Sequence, residues 1–173
     1  MRAMLVDPNS PGHLKLNDIP DPVPFSSQAM VQVKAISLNL GEVKRARRSE
    51  PGTLLGWDVA GDIIAAAPDG SGPAVGARVV GIVNGGGWAE RVAVHTSEMA
   101  VLPENVSYET AATLPVAGMT ALYSLEQAGQ LLGRRVLVTG ASGGVGLFGI
   151  QLAKLSGATV TALVRRESNI PVA

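Results

Sequence analysis

The chain has 173 residues, of which 46% are hydrophobic and 16% are charged, and it contains no cysteine. This length fits one ordinary domain or two small ones, and the apolar content excludes a disordered chain. Basic and acidic residues both number 14, so the formal net charge is zero, and only 3% of the residues are aromatic. Without a positive field or many stacking rings, nucleic-acid binding is a poor fit. The lack of cysteine excludes disulfides, thiolate catalysis and cysteine-based zinc sites.

Two apolar stretches are candidates for membrane-targeting segments. The stretch at the amino terminus, around residues 4–6, is too short for a signal peptide. The uncharged run over 136–153 has the length of a membrane span, but its repeated glycines indicate a turn instead. We therefore expect no membrane association and a cytoplasmic location.

The part of the chain up to Pro103 alternates short apolar runs with turn residues. Segments 68–73 and 84–87 are rich in glycine, proline, asparagine and aspartate, which favour turns. Short strands with frequent turns of this kind are typical of a compact β-barrel or sandwich. The predicted strands cover residues 4–6, 14–16, 29–36, 59–66, 78–83 and 88–94.

Beyond Pro103 the pattern changes to helices and strands. Ser107 precedes an acidic first turn and is a candidate helix N-cap, and residues 118–130 are predicted to form a helix. A strand over 136–139, a helix over 145–156 and a strand over 159–164 form a βαβ unit. The predicted fold class is mixed α and β, with one domain over 1–112 and a second over 113–173.

A glycine-rich turn joins the first strand of the βαβ unit to its helix. Glycines let the backbone bend sharply and approach a pyrophosphate, while N–H groups at the helix start face the anion. The usual dinucleotide fingerprint has glycine where this chain has Ala141, so it departs by one methyl group; a tight turn without a ligand is the alternative. The predicted cofactor-binding residues here are Gly140, Ala141, Ser142, Gly143, Gly144, Val145 and Gly146.

Basic residues follow the second strand of the unit. An NAD-binding protein places an aspartate or glutamate about 20 residues past the glycine turn, where it accepts hydrogen bonds from the ribose. This chain has Arg165 there and Arg166 beside it, and a guanidinium pairs with a 2′-phosphate. Ser168 adds a hydroxyl. The arrangement predicts a preference for NADP(H), and solvated strand-end charges are the alternative.

Several segments together resemble the medium-chain dehydrogenase/reductase superfamily, in particular its zinc-independent quinone oxidoreductase (zeta-crystallin-like) branch. The resemblance implies a GroES-like β-barrel domain followed by a Rossmann domain that binds NADPH. A full Rossmann sheet has about six strands and only two are present, so it also implies a truncated chain or a sheet edge covered by another chain. Besides the glycine turn and its helix, the matching segments are 51–61, 75–79, 86–90 and 114–123.

The same resemblance bears on metal binding. Zinc-binding relatives place a cysteine where this chain has Asn39, and a His-Glu pair where it has Trp57 and Asp58. Asparagine and tryptophan are not usual zinc ligands, and His13 and His95 lack ligand spacing. We therefore expect no metal site.

Without a metal, the resemblance implies reduction of an activated C=C bond (an enone) or a quinone, where hydride acceptance needs less polarisation. It points to Asn39 and Thr120 as contacts to the nicotinamide or the substrate. The alternatives are a turn residue for Asn39 and a helix-start hydroxyl for Thr120. Tyr108 and Tyr123 are the available phenols, and neither is assigned as the proton donor. The segment 40–48 is expected to be a loop that helps to shape the substrate pocket.

Three functions stay open at this level: an NADPH-dependent enone or quinone reductase, an inactive nucleotide-binding or interaction module of the same fold, and a β-rich scaffold. The glycine turn disfavours the scaffold, because a scaffold does not need a phosphate loop. The sequence does not separate the first two. The expected partners are a small-molecule enone or quinone, and a second copy or another chain over the unfinished sheet edge.

Overall fold

A computed structural model describes all 173 residues and divides the chain into two compact units, Met1–Pro115 and Val116–Ala173. The predicted domain boundary at 112/113 falls just before this division. A π-helical stretch, Leu114–Gly118, runs across it and leads directly into the next helix. No helix in the chain combines the length and the apolar character that crossing a bilayer requires.

The first unit is rich in antiparallel strands. Its strands are β1 (Arg2–Val6), β2 (Leu14–Asp18), β3 (Gln28–Ile36), β4 (Asp58–Ala65), β5 (Arg78–Ile82), β6 (Arg91–His95) and β7 (Met99–Val101). β1 pairs with β2, and the other five form one sheet in the order β6-β3-β4-β5-β7. The predicted strands are confirmed, with two differences: β7 was not predicted, and β6 begins at Arg91 rather than at residue 88.

Apolar side chains of the five-stranded sheet form the core of the first unit. Val31, Val59, Ile63, Val79 and Val94 are each at most 2% exposed, and they pack in one cluster. Successive side chains of a strand point to opposite faces, so the alternating sequence pattern delivers one apolar face. Burying each such side chain contributes about 1.5–3 kcal/mol.

The structure requires glycine at two positions of the 51–61 segment. Gly56 adopts a φ of +100°, and a Cβ there would lie 2.2 Å from the backbone nitrogen of Trp88. A Cβ on Gly61, in the middle of β4, would lie 2.1 Å from the carbonyl oxygen of Gln32 on the neighbouring strand. Both positions need a residue without a side chain because another backbone passes directly over them.

Two helices belong to the first unit. The N-cap of α1 (Leu40–Ala46) is Asn39. The N-cap of α2 (Tyr108–Ala112) is Ser107, whose hydroxyl accepts the Thr110 N–H at 3.2 Å. The Ser107 N-cap is thus confirmed. The expectation of a loop over 40–48 is wrong for residues 40–46. The pair Asn39 and Glu42 has capping-box spacing, and this signal predicts a helix start.

The second unit contains the predicted βαβ arrangement. After α3 (Met119–Glu126) come β8 (Arg135–Thr139), α4 (Gly144–Leu155) and β9 (Thr159–Leu163), followed by a 3₁₀ turn over Glu167–Val172. β8 and β9 pair in parallel and in register, Arg135 opposite Thr159 and Thr139 opposite Leu163. α3 ends earlier than predicted, because Gly129 adopts a φ of +70° and the chain turns there.

Candidate functional site

The glycine turn lies between the end of β8 and the start of α4. Gly140 makes the bend with a φ of +64°, and the Gly143 N–H donates to the Gly140 carbonyl at 2.9 Å. The Ala141 N–H donates to the carbonyl of Leu163, the last residue of β9, at 3.2 Å. The turn is therefore anchored at the carboxyl edge of the parallel pair, where open α/β sheets bind their ligands.

Ala141, the departure from the strict fingerprint, is fully buried and does not adopt a positive φ. Gly140 supplies the positive φ one residue earlier, so the methyl group of Ala141 is accommodated inside the unit. Gly146 tolerates no such methyl. A Cβ there would lie 2.4 Å from the Gly140 carbonyl oxygen and 2.8 Å from the Ala141 Cα. This glycine lets α4 pack directly against the turn.

The first residues of α4 offer a row of backbone donors. The N–H groups of Gly144, Val145 and Gly146 open the helix, where no carbonyl of an earlier turn is available to accept them. The N-cap, Gly143, carries no side chain that could accept them. Gly143 and Gly144 are exposed. A helix start with unpartnered amides and little side-chain bulk attracts an anion such as a phosphate.

The basic residues predicted for the 2′-phosphate follow β9 at the same edge of the sheet. Arg165 and Arg166 are both exposed, and none of the four ion pairs in the structure includes either. Ser168, also exposed, lies in the 3₁₀ turn that follows. The next residue, Asn169, donates to the Ser142 hydroxyl at 3.2 Å. No sequence motif singles out Asn169.

The two predicted contacts to nicotinamide or substrate belong to different units. Thr120 lies in the first turn of α3 and is exposed, and its carbonyl accepts the Ser124 hydroxyl at 2.6 Å. Asn39 begins α1 in the first unit and is partly buried. The alternative prediction for Asn39 was a turn residue, and in the structure Asn39 is the N-cap of α1. The ligand contacts of both residues stay predictions.

Asn39 lies in a buried polar cluster that is not among the predicted features of the sequence. Its side-chain nitrogen Nδ2 donates to Asp58 Oδ2 at 2.7 Å, and its backbone N–H donates to Glu42 Oε2 at 2.6 Å. The other oxygen of Glu42 accepts the Trp57 N–H at 2.7 Å. Glu42 and Asp58 are both fully buried. These contacts join the start of α1 to the start of β4.

Burial and hydrogen bonding act on the pKa of the Glu42 carboxyl in opposite directions. Burial raises the pKa of the Glu42 carboxyl above its ordinary value, and the negative charge of Asp58 also acts to raise it. Hydrogen bonds from the Asn39 and Trp57 N–H groups and from the Asn39 side chain lower that pKa and partly offset burial. Nowhere in the chain do three or more His, Cys, Asp or Glu side chains come together as a metal site.

The two phenols differ in their surroundings. Tyr108 donates to Asp62, which raises the pKa of the Tyr108 hydroxyl, and the Arg78 guanidinium lies 4.5 Å from the centre of its ring. These contacts hold α2 against the sheet of the first unit. Tyr123, on α3, is 54% exposed. Tyr108 therefore has a packing role, and neither phenol is assigned to proton donation.

The sequence of the chain is similar to a known domain family and to known reductases. Residues 26–104 match the alcohol dehydrogenase GroES-like domain. The chain is 36% identical over 161 residues to the chloroplast envelope quinone oxidoreductase homolog of Arabidopsis thaliana, an alignment that covers 83% of this chain and 49% of that protein. It is 36% identical over 142 residues to 2-methylene-furan-3-one reductase of Solanum lycopersicum, which covers 73% of this chain and 37% of that protein.

Solved structures give the same picture. The quinone oxidoreductase of Thermus thermophilus, whose structure is also known in complex with NADPH, aligns with a TM-score of 0.83 at 30% identity. The alignment covers 99% of this chain and 56% of that one. The chain thus spans about half the length of the solved structure, and 49% and 37% of the two curated relatives.

Proposed function

The chain is a homologue of the quinone oxidoreductases and enoyl reductases of the medium-chain dehydrogenase/reductase superfamily, and on this premise we propose that it serves the NADPH-dependent reduction of an activated C=C bond or a quinone. The observation that carries the proposal is the row of backbone amides at residues 144–146, which open α4 behind the glycine turn, where Gly146 leaves no room for a Cβ against the Gly140 carbonyl. NADP(H) supplies the hydride when it is bound.

The residues of the second unit fit the diphosphate of a dinucleotide. The amides of Gly144, Val145 and Gly146 are the proposed donors to its oxygens, and the bare faces of Gly143 and Gly144 leave room for close approach. The Ser142 hydroxyl, oriented by Asn169, is a further polar group at the same turn. This match of shape, donors and helix polarity supports a phosphate site rather than a simple tight turn.

The proposed preference for NADP(H) rests on Arg165 and Arg166. Both are exposed at the carboxyl edge of the parallel pair and neither is committed to an ion pair, so both guanidinium groups are available to a 2′-phosphate. No acidic side chain occupies the position that would bind the ribose hydroxyls of NAD. Asn39, in the first unit, and Thr120, in the second, are each proposed to contact the nicotinamide or the substrate.

Binding experiments on paired arginine variants test this proposal. We expect wild-type chain to bind NADPH more tightly than NADH in isothermal titration. Replacing Arg165 and Arg166 together with alanine is expected to weaken NADPH binding about tenfold or more, which corresponds to roughly 1.4 kcal/mol, and to leave NADH binding unchanged. Turnover is followed by the loss of NADPH absorbance with a simple quinone and with an enone.

Arg134 and Arg135 provide the matched control. They are also two adjacent exposed arginines, but they lie at the opposite, amino-terminal edge of the strands, where β8 begins. Their alanine variant is expected to bind both cofactors as the wild type does. NADH binding as tight as NADPH binding in the wild type would contradict the cofactor preference.

A second candidate, an inactive nucleotide-binding or interaction module, is favoured by the open edges of the β8–β9 pair. Each strand has a single partner, so each has one edge of unpaired backbone groups. Leu137 and Leu163, 62% and 54% exposed, lie on uncovered faces of the same pair. Such edges accept a further strand, so we also propose that a second copy or another chain covers them. NADPH binding without turnover of either substrate would favour this candidate over the reductase.

A further inference from the structure

Asn84 is the one asparagine of the chain that a glycine follows, and it lies in the turn between β5 and β6. The chain has six asparagines. The residues that follow the other five are Ser10, Asp18, Leu40, Val106 and Ile170. Because glycine has no side chain to shield its backbone nitrogen, the nitrogen of Gly85 can approach the Asn84 carboxamide closely.

The two groups of this pair that can react with one another are both free of hydrogen bonds. Asn84 is exposed, and its carboxamide has no partner. The neighbouring N–H groups of Val83, Gly86 and Gly87 each donate to a backbone carbonyl, but the N–H of Gly85 donates to none. Asn84 and Gly85 also line an open polar cavity of about 230 Å³, which admits water. The turn therefore combines a free carboxamide, a free peptide nitrogen and access to water.

The main-chain carbonyl of Asn84, in contrast, has a charged partner. Arg45, on α1, donates from its guanidinium to this oxygen at 2.7 Å, and it is in none of the ion pairs of the structure. The peptide bond is conjugated, so when the Gly85 nitrogen loses its proton, the negative charge is shared with the Asn84 carbonyl oxygen. A guanidinium on that oxygen stabilises the charge, as donors do wherever charge develops in a reaction.

We propose that Asn84 is a site of spontaneous deamidation in the folded protein, and that Arg45 promotes this modification and directs it toward isoaspartate. The nitrogen of Gly85 attacks Asn84 Cγ and forms a new C–N bond. The bond between Cγ and Nδ2 breaks, and ammonia leaves with the proton that the Gly85 nitrogen gave up. The product is a succinimide ring, and nothing is oxidised or reduced.

Water then opens the succinimide at one of its two carbonyl carbons. Attack at Cγ gives aspartate and leaves the main chain unchanged. Attack at the main-chain carbonyl carbon breaks its bond to the Gly85 nitrogen, so the chain continues through Cγ and residue 84 becomes isoaspartate with a free carboxylate. Arg45 contacts the oxygen of this second carbonyl, so it stabilises the charge that develops there and pairs with the carboxylate that forms.

Peptide mapping of the folded full chain tests the site. The protein is incubated in warm, mildly alkaline buffer, and each asparagine is followed by mass spectrometry with electron-transfer fragmentation, which distinguishes isoaspartate from aspartate. Asn105 is the internal control: it is also exposed, but the next nitrogen belongs to the β-branched Val106 and donates to the Pro103 carbonyl at 3.1 Å. We expect Asn84 to lose its amide about tenfold faster than Asn105 or more.

Arg45→Ala tests the part assigned to the guanidinium. Because an exposed charge is partly screened by water, we expect amide loss at Asn84 to slow about threefold and the ratio of isoaspartate to aspartate to fall about threefold. Arg48→Ala is the matched control, since Arg48 is also exposed and its side chain makes no hydrogen bond; it is expected to behave as the wild type. In urea, where no contact with Arg45 persists, all three proteins are expected to give one common ratio.

The outcomes do not depend on the proposed function, because the experiment needs neither cofactor nor turnover. Fast amide loss at Asn84, with a slower reaction that yields less isoaspartate in Arg45→Ala, supports the proposal. Amide loss at Asn84 no faster than at Asn105 overturns the site. An unchanged rate and ratio in Arg45→Ala, or a wild-type ratio that is the same in folded and unfolded protein, overturns the part assigned to Arg45.

Discussion

Replacing Gly146 with alanine is expected to weaken NADPH binding about a hundredfold or more, equivalent to roughly 2.7 kcal/mol. The added Cβ would lie 2.4 Å from the Gly140 carbonyl oxygen and 2.9 Å from the Ala141 carbonyl oxygen. Both contacts are with backbone, so no side chain can rotate away. The turn must move relative to α4, and the N–H groups of residues 144–146 then no longer point toward one diphosphate position. Isothermal titration with NADPH measures the effect.

Gly149→Ala is the matched control on the same helix. Its Cβ would meet only Val138 Cγ1, at an ordinary 3.8 Å, and alanine within a helix is worth up to about 1 kcal/mol relative to glycine. We expect this variant to bind NADPH as the wild type does, with equal or higher stability. Equal NADPH affinity in the two variants would show that the close approach of α4 to the turn does not organise the binding site.

The second large effect is expected in the first unit, where Gly61→Ala should lower the free energy of unfolding by about 3 kcal/mol or more. Overpacking a core costs roughly 1–3 kcal/mol when side chains can adjust. Here the Cβ would lie 2.1 Å from the Gln32 carbonyl oxygen, so β3 and β4 must separate at the middle of the core. Trp57 and Trp88, the two tryptophans of the chain, are both in this unit, and their fluorescence during urea unfolding reports on it.

Gly81→Ala on the adjacent strand provides the comparison. Its Cβ would meet Val94 Cγ1 at 2.9 Å and the Glu98 carbonyl oxygen at 3.0 Å, both much longer than the 2.1 Å contact at Gly61. A side chain at that distance can shift by a few tenths of an ångström, so the expected loss is smaller, about 1 kcal/mol. A loss for Gly61→Ala no larger than that for Gly81→Ala would contradict the role assigned to the β3–β4 approach.

The sequence was sufficient for those parts of the fold that depend on local patterns. Alternating residues identified β3, an apolar run bounded by turn residues identified β4, and the strand, glycine turn and helix over 136–156 identified the βαβ unit. Those signals are strong because each follows from a backbone period or from a φ that only glycine adopts readily. The short edge strand Met99–Val101 was missed, since three residues carry too little periodicity.

The candidate site was predictable in part for the same reason. The turn residues 140–146 have a sequence signature, and the structure gives them the expected form, including a reason for Ala141. The cluster of Asn39, Glu42 and Asp58 has no such signature as a whole, because hydrogen bonds between the start of α1 and the start of β4 bring its members together. Only the spacing of Asn39 and Glu42 could have indicated it, as a capping box.

The proposed function depends most on the diphosphate lying against the amides at the start of α4, and amide NMR on the ¹⁵N-labelled full chain tests this directly. NADPH is added stepwise, and the backbone signals of residues 142–146 are followed together with those of the five-stranded sheet of the first unit. We predict saturable shifts in the turn that are largest for Gly144, Val145 and Gly146 and are lost in Gly146→Ala. Turn signals that stay in place while the protein remains folded, with NADPH in large excess, would contradict the account.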